Sequence, residues 1–239
     1  MNALEGKIAI VTGAGRGIGR AVALALAESG CRIVLAARTG EQLAAVQEEI
    51  RCLGAEAISI STDLARDDDI AALVDRTLKE WSTVDILVNN AGWGKKAPIA
   101  KARLEDWDQT FRVNLRAPML LTRLVLPILI AKESGAVINI GSISGKSGEA
   151  NSSAYAASKF GLIGFTQSLY EEVREHGVKA AVILPGFVDT PLIPPNRQLD
   201  RSKMIPAQDI AEAVLFVLRS SPSCCPVEIT VRPQRSPVK

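Results

Sequence analysis

Seven short apolar runs, most of them rich in β-branched residues, alternate along the chain with longer stretches rich in Ala, Leu and Glu. The runs are KIAIVTG from Lys7, CRIVLAAR from Cys31, AEAISIST from Ala55, VDILVNNAG from Val84, GAVINIGS from Gly135, VKAAVILPG from Val178 and VEITVRP from Val227. Most are apolar at consecutive positions rather than alternate ones. A strand buried on both faces needs that pattern, and such burial belongs to parallel sheets. Between them, GRAVALALAESG and TGEQLAAVQEEIRCLG carry apolar residues at helical spacing and end at Gly30 and Gly54, the residue type that closes helices. LEDWDQTFRVNLRAPMLLTRLVLPILIAK reads as one long helix, apolar enough to pack against both the sheet and a partner. Parallel strands need helical crossovers, so the fold class is α/β: a Rossmann-type, doubly wound sheet of seven mostly parallel strands flanked by helices on both faces. The chain reads as a single domain, 1–239, with 190–206 as a loop over a substrate site and 233–239 as a flexible tail.

The first strand leads straight into TGAGRGIG, in which Gly13, Gly17 and Gly19 are spaced GxxxGxG at the start of a helix, with Ile18 between the last two. Glycines there allow backbone N–H groups to approach a pyrophosphate, and the helix N-terminus adds partial positive charge. The second strand ends in Ala36, Ala37 and Arg38. An NAD site would carry a carboxylate at this point to hold the ribose 2′-hydroxyl. Its replacement by Arg38, with Arg16 inside the glycine turn, favours a 2′-phosphate and hence NADP(H) over NAD(H).

Only two tyrosines occur, and one of them, Tyr155, stands in SAYAASKFG with Lys159 four residues on. On a helix that spacing points both side chains the same way. An ammonium beside a phenol is expected to lower its pKa from about 10, making Tyr155 a proton donor and acceptor near neutral pH. Ser142, at the end of the fifth strand, lies where open α/β sheets bind ligands and is placed to hold a carbonyl oxygen.

TGAGRGIG, NNAG from Asn89, Asn114 in FRVNL, Ser142 in INIGSISG, YAASK and PGFVDT from Pro185 occur in that order. In this the chain resembles the short-chain dehydrogenase/reductase (SDR) family from Lys7 to about Ala213, and among its members the 3-oxoacyl-carrier-protein reductases. The resemblance implies a catalytic set of Asn114, Ser142, Tyr155 and Lys159, with Lys159 on the nicotinamide ribose and Asn114 perturbing its helix and holding a water of a proton relay. It also implies that Asp63 and Leu64 contact the adenine side, that Asn90, Ala91 and Gly92 support the ribose, and that Pro185, Gly186, Val188 and Thr190 hold the carboxamide end. Trp93, Ile143 and Phe187, with Ser142, are expected as substrate walls. The reaction expected is hydride exchange with a carbonyl or secondary alcohol. The alternative is a catalytically silent NADP(H)-binding sensor of the same fold, which would be expected to have lost part of the catalytic set.

Composition excludes other classes. A net charge of +2 without a long basic run gives no reason to expect nucleic acid. A lone histidine, His176, rules out His-rich zinc sites and speaks against most Ser-His-Asp hydrolase schemes, and no metal is expected. No stretch is read as a signal peptide or membrane span, and the four cysteines show no metal-ligand spacing, so a cytoplasmic protein with reduced thiols is expected. The C-terminus, CCPVEITVRPQRSPVK, lacks the acidic-glycine-glycine turn of many SDR enzymes. That departure favours a homodimer through the helices around Asn114 and Tyr155, with a homotetramer as the alternative.

Overall fold

The computed structural model describes residues 4–193 and 198–238; part of the expected substrate loop (194–197) and the last residue of the tail lie outside the described residues. The strands are β1 Ile8–Thr12, β2 Arg32–Ala37, β3 Ala57–Ser61, β4 Ile86–Asn89, β5 Gly135–Ile140, β6 Val178–Pro185 and β7 Glu228–Val231. They form one sheet in the order β3-β2-β1-β4-β5-β6-β7, and every neighbouring pair is parallel. The helices are α1 Gly17–Glu28, α2 Gly40–Cys52, α3 Asp67–Trp81, α4 Leu104–Phe111, α5 Ala117–Ala131, α6 Ser153–Val173 and α7 Ala207–Arg219.

The two faces of the sheet explain why the strand sequences are apolar throughout. In β1, Ala9 and Val11 join one apolar cluster with Val22 and Leu26 of α1, Leu43 and Ile50 of α2 and Val214 of α7. Ile10 points the other way, into a cluster with Ile70 and Leu73 of α3, Leu121 and Val125 of α5 and Leu169 of α6. Successive strand residues face opposite sides, so covering both sides demands an apolar residue at every position.

The stretch expected as one helix is continuous from Leu104 to Ala131 but contains a π turn at Arg112–Arg116. Pro118 supplies a covalent reason. It has no N–H, so the carbonyl four residues earlier, that of Asn114, is denied its α-helical donor. The register slips, and the Ala117 N–H bonds Arg112 O, five residues back. At 28 residues this helix is long and apolar enough to cross a bilayer, which corrects the expectation that no such stretch exists. Its inner side, Leu121, Val125 and Leu129, is buried against the sheet, the arrangement of a core helix.

Within the described part of the tail, Val238 forms an antiparallel bridge with Leu199, the Asp200 N–H donates to Pro237 O at 2.8 Å, and Pro237 is buried.

Candidate active site

The strand order reverses between β1 and β4, and crevices for ligands open at such points, beyond the carboxyl ends of the strands. Here a cleft of about 790 Å³ runs along that edge. Each of the first six strands contributes residues from its end: Gly13 after β1, Arg38 after β2, Thr62 and Asp63 after β3, Asn90 after β4, Ser142 after β5 and Gly186 after β6.

At one end lies the glycine turn. Gly13 and Gly17 adopt φ of +64° and +57°, conformations that residues with side chains rarely take. The turn leads into the N-terminus of α1, whose first turn has no acidic residue. Thr12 organises this end. Its buried hydroxyl accepts from the N–H groups of Asn90 (2.9 Å) and Ala91 (3.1 Å), and the Asn90 amide donates to Thr12 O at 2.8 Å. The Asn90 side chain therefore braces the turn from below. Arg16 and Arg38 both line the cleft, and no carboxylate pairs with either guanidinium among the described residues. Thr39 and Gln42 complete that corner. Backbone amides, a helix N-terminus and two unpaired cations fit an anionic dinucleotide with a phosphorylated ribose.

Asp63 and Leu64 line the cleft wall, with one Asp63 carboxylate oxygen accepting the Ala65 N–H at 3.0 Å. Gly19 does not line the cleft. A Cβ there would sit 2.2 Å from Gly13 O and 2.5 Å from Asn90 Nδ2, so its place is to let α1 pack against the turn, and it does not reach the cleft itself.

At the other end, α6 delivers Tyr155 and Lys159 to the same wall, with the Lys159 Nζ 5.8 Å from the centre of the Tyr155 ring. A buried polar chain fixes α6 to the sheet: Asn89 Nδ2 donates to Asn139 Oδ1 (2.9 Å), Asn139 Nδ2 to Thr166 Oγ1 (2.8 Å), and Thr166 Oγ1 to Leu162 O (2.7 Å). Lys159 is 3% exposed and donates to Ile140 O at 2.8 Å. Burial pushes its ammonium down to a pKa of about 8. Tyr155 moves opposite to the expectation: burial raises its pKa, a hydrogen bond with Ser142 lowers it by less, and Glu149 adds to the rise. Desolvation of the phenolate outweighs the hydrogen bond that favours it. Ser142 caps a single 3-10 turn at Ile143–Gly145, its oxygen accepting the Ser144 N–H at 3.1 Å.

Asn114 is fully buried and outside the cleft lining. Its Oδ1 accepts from Trp93 N at 2.8 Å, and its Nδ2 donates to Trp93 O (2.8 Å) and Ser158 Oγ (3.0 Å). The side chain thus clamps the loop after β4, and both of its amide hydrogens are engaged within the protein. Trp93, Ile143, Phe187, Pro185, Gly186, Val188, Thr190, Ala91 and Gly92 all line the cleft. Sequence reasoning missed Gly94, whose backbone lies on the Tyr155 ring, and the Lys96–Glu149 pair (3.6 Å) at the rim. It also missed the Thr12 hub and the Asn89–Asn139–Thr166 chain. Polar residues inside otherwise apolar strands, as in ILVNN and VINI, were the available signal.

Comparison with known proteins agrees with this geometry. The short chain dehydrogenase family matches residues 7–200. A 3-oxoacyl-[acyl-carrier-protein] reductase of Synechocystis sp. is 39% identical over 191 residues, covering 80% of this chain and 77% of the relative. An uncharacterized oxidoreductase of Staphylococcus aureus (strain MRSA252) is 36% identical over 234 residues, 98% of this chain and 100% of its own. A crystal structure of a metagenomic short-chain oxidoreductase in complex with NADP superposes with a TM-score of 0.86 at 38% identity, covering 98% of this chain and 100% of that one.

Proposed function

The chain belongs to the short-chain dehydrogenase family, and from that premise we propose that it is an NADP(H)-dependent oxidoreductase acting on a carbonyl/secondary alcohol pair, with a 3-oxoacyl thioester as the leading substrate. The observation that carries this reading is the convergence of Tyr155, Lys159 and Ser142 on the same cleft as the glycine turn. The NADP of the metagenomic relative and the unpaired Arg16 and Arg38 support the cofactor, and the name of the Synechocystis relative supports the thioester.

The glycine turn and α1 N-terminus would hold the diphosphate, Arg16 and Arg38 the 2′-phosphate, and Val188 and Thr190 the carboxamide end. When bound, the reduced cofactor supplies a hydride to the carbonyl carbon. Tyr155 Oη donates its proton to the carbonyl oxygen as that oxygen becomes an alcohol, and the Ser142 hydroxyl hydrogen-bonds the same oxygen. The raised pKa of Tyr155 keeps the phenol protonated at neutral pH, the form that reduction requires. The adjacent Lys159 ammonium stabilises the phenolate left behind. A relay through Asn114 falls to its main-chain carbonyl, since its amide hydrogens are engaged.

Exposed Phe111, Met119 and Phe160 on the α4–α6 side support a homodimer there, and four unpaired cysteines support a cytoplasmic setting. The test is titration with NADPH and NADH followed by Tyr155→Phe. Tighter NADPH binding, retained in a variant whose turnover falls about 10²–10⁴-fold, is expected. Saturable NADPH binding without turnover on any carbonyl would favour the silent sensor instead.

A further inference from the structure

The tail forms a strap from the edge of the sheet to Leu199, a residue of the cleft lining. It leaves β7 at Val231, where Gly186 N donates to Val231 O at 2.8 Å. Pro233 then lies against Gly186, where a Cβ would come within 2.9 Å of its ring. After an exposed stretch at 234–236 the chain turns inward again: Pro237 is buried, Val238 bridges Leu199, and Pro237 O accepts the Asp200 N–H. Leu199 lines the cleft.

From Leu199 the connection continues into the wall. Arg201, two residues on, donates to Thr190 O (3.1 Å) and Ile193 O (3.0 Å) and pairs with Asp189. Ile205 N donates to Phe187 O and Asp189 N to Ile205 O, both at 2.9 Å. Thr190, Ile193 and Phe187 are themselves lining residues. The end of the chain is therefore joined through backbone and guanidinium hydrogen bonds to the residues that face the substrate side.

We infer that Pro237 and Val238 are positioning residues for the substrate, holding Leu199 and the wall built on Arg201 in place. The inference rests on the oxidoreductase reading for its effect on catalysis, but not for the strap itself. A loop wall tied only at its strand-side end samples more conformations, and a substrate that must order it binds more weakly. The adenosine corner of the cleft, built from Arg16, Arg38, Thr39 and Asp63, does not include the strap, whereas the wall it holds carries Thr190, assigned above to the carboxamide end.

The test compares the full chain with a chain ending at Ser236 and with Pro237→Gly, which keeps the length. The first readout is amide exchange. Removing the acceptor Pro237 O should speed exchange at Asp200 by about tenfold, the protection that one hydrogen bond confers, while β1 and β4 remain unchanged. The second is reduction of ethyl acetoacetate with NADPH. KM should rise about three- to tenfold, with kcat and the affinity for 2′,5′-ADP, which fills only the adenosine corner, within about twofold. Unchanged Asp200 exchange in the truncated chain would overturn the inference, as would parallel losses in KM and 2′,5′-ADP affinity. If no carbonyl is reduced by the full chain, the proposed activity fails, while the exchange result still decides the strap.

Discussion

Gly94→Ala is expected to slow the enzyme without weakening its cofactor. A Cβ at this position would lie 2.8 Å from Tyr155 Cδ2, 3.4 Å from Cγ and 3.5 Å from Cβ. Carbon atoms settle at about 3.5–4.0 Å, so the closest contact lacks roughly 0.7 Å. Neither side yields easily. Trp93, the preceding residue, is held at both its N–H and its carbonyl by Asn114, and Tyr155 sits on a helix tied to the sheet through Thr166. The ring must tilt away, carrying its hydroxyl with it. A displacement of about 1 Å in a reacting group costs on the order of 10²-fold, so kcat should fall about 10- to 100-fold. The assay is steady-state NADPH oxidation with a carbonyl substrate, beside direct NADPH titration. Gly148→Ala is the control, because a Cβ there meets nothing within 4 Å. If Gly94→Ala keeps kcat within about twofold of the parent while Gly148→Ala behaves the same, the steric reasoning is refuted.

Arg38→Ala should weaken NADPH by about tenfold and leave NADH nearly unchanged, a modest figure because the guanidinium is exposed and screened; calorimetry reads both. Lys159→Met should abolish turnover yet stabilise the protein without cofactor. The folded-state pKa of Lys159, about 8, lies below its ordinary 10.5, so the penalty of burying charge is fully present below pH 8 and disappears as pH rises to 10.5, roughly 3 kcal/mol in all. Melts of the parent should therefore gain stability over that window, and those of the variant should not. Asp85 is buried between Lys7 and Lys132; burial raises its pKa, but the Lys132 hydrogen bond, the Ile8 N–H (2.9 Å) and both ammonium charges bring the net shift down. Its contribution is present above the ordinary carboxylate pKa and lost as pH falls through the lower folded value. Asp85→Ala should cost about 2–3 kcal/mol in urea unfolding at pH 7, less than a wholly buried pair because both lysines reach solvent. Pro118→Ala restores a donor to the Asn114 carbonyl; the π turn should relax toward α-helix and kcat should fall, with folding retained by circular dichroism.

The fold was legible because burial on both faces of a parallel sheet leaves little freedom in strand sequences, and all seven runs became strands. The seven-stranded, helix-flanked architecture and the resemblance to the short-chain dehydrogenases were likewise readable, since four of the ordered motifs lie at strand ends and the other two, around Asn114 and Tyr155, on the helices packed beside them. What escaped depended on contacts between distant segments. Nothing local marks Pro237 as buried, because its partner Asp200 lies 37 positions earlier and meets it only after β7 has joined the sheet edge. The direction of the Tyr155 shift escaped for a similar reason: i,i+4 spacing places an ammonium nearby, but only packing shows how far both groups are removed from water. Gly19 looked like a third phosphate-facing glycine, yet only the approach of α1 to Gly13 O reveals it as a packing position.

Six strands each hand over one or more cleft residues just past their ends, while their interiors feed the two apolar clusters. The residues that set what is bound and the residues that set whether the chain folds are therefore mostly different residues, with Leu64, Ile140 and Val188 belonging to both. Substitutions at Trp93, Lys96, Ile143, Glu149, Leu192 and Leu199 rewrite the walls without touching Ile10, Leu87 or Ile138. Lineages built on this plan can exchange one substrate for another by drift through folded intermediates, each step drawing on the ends of strands and leaving their middles intact.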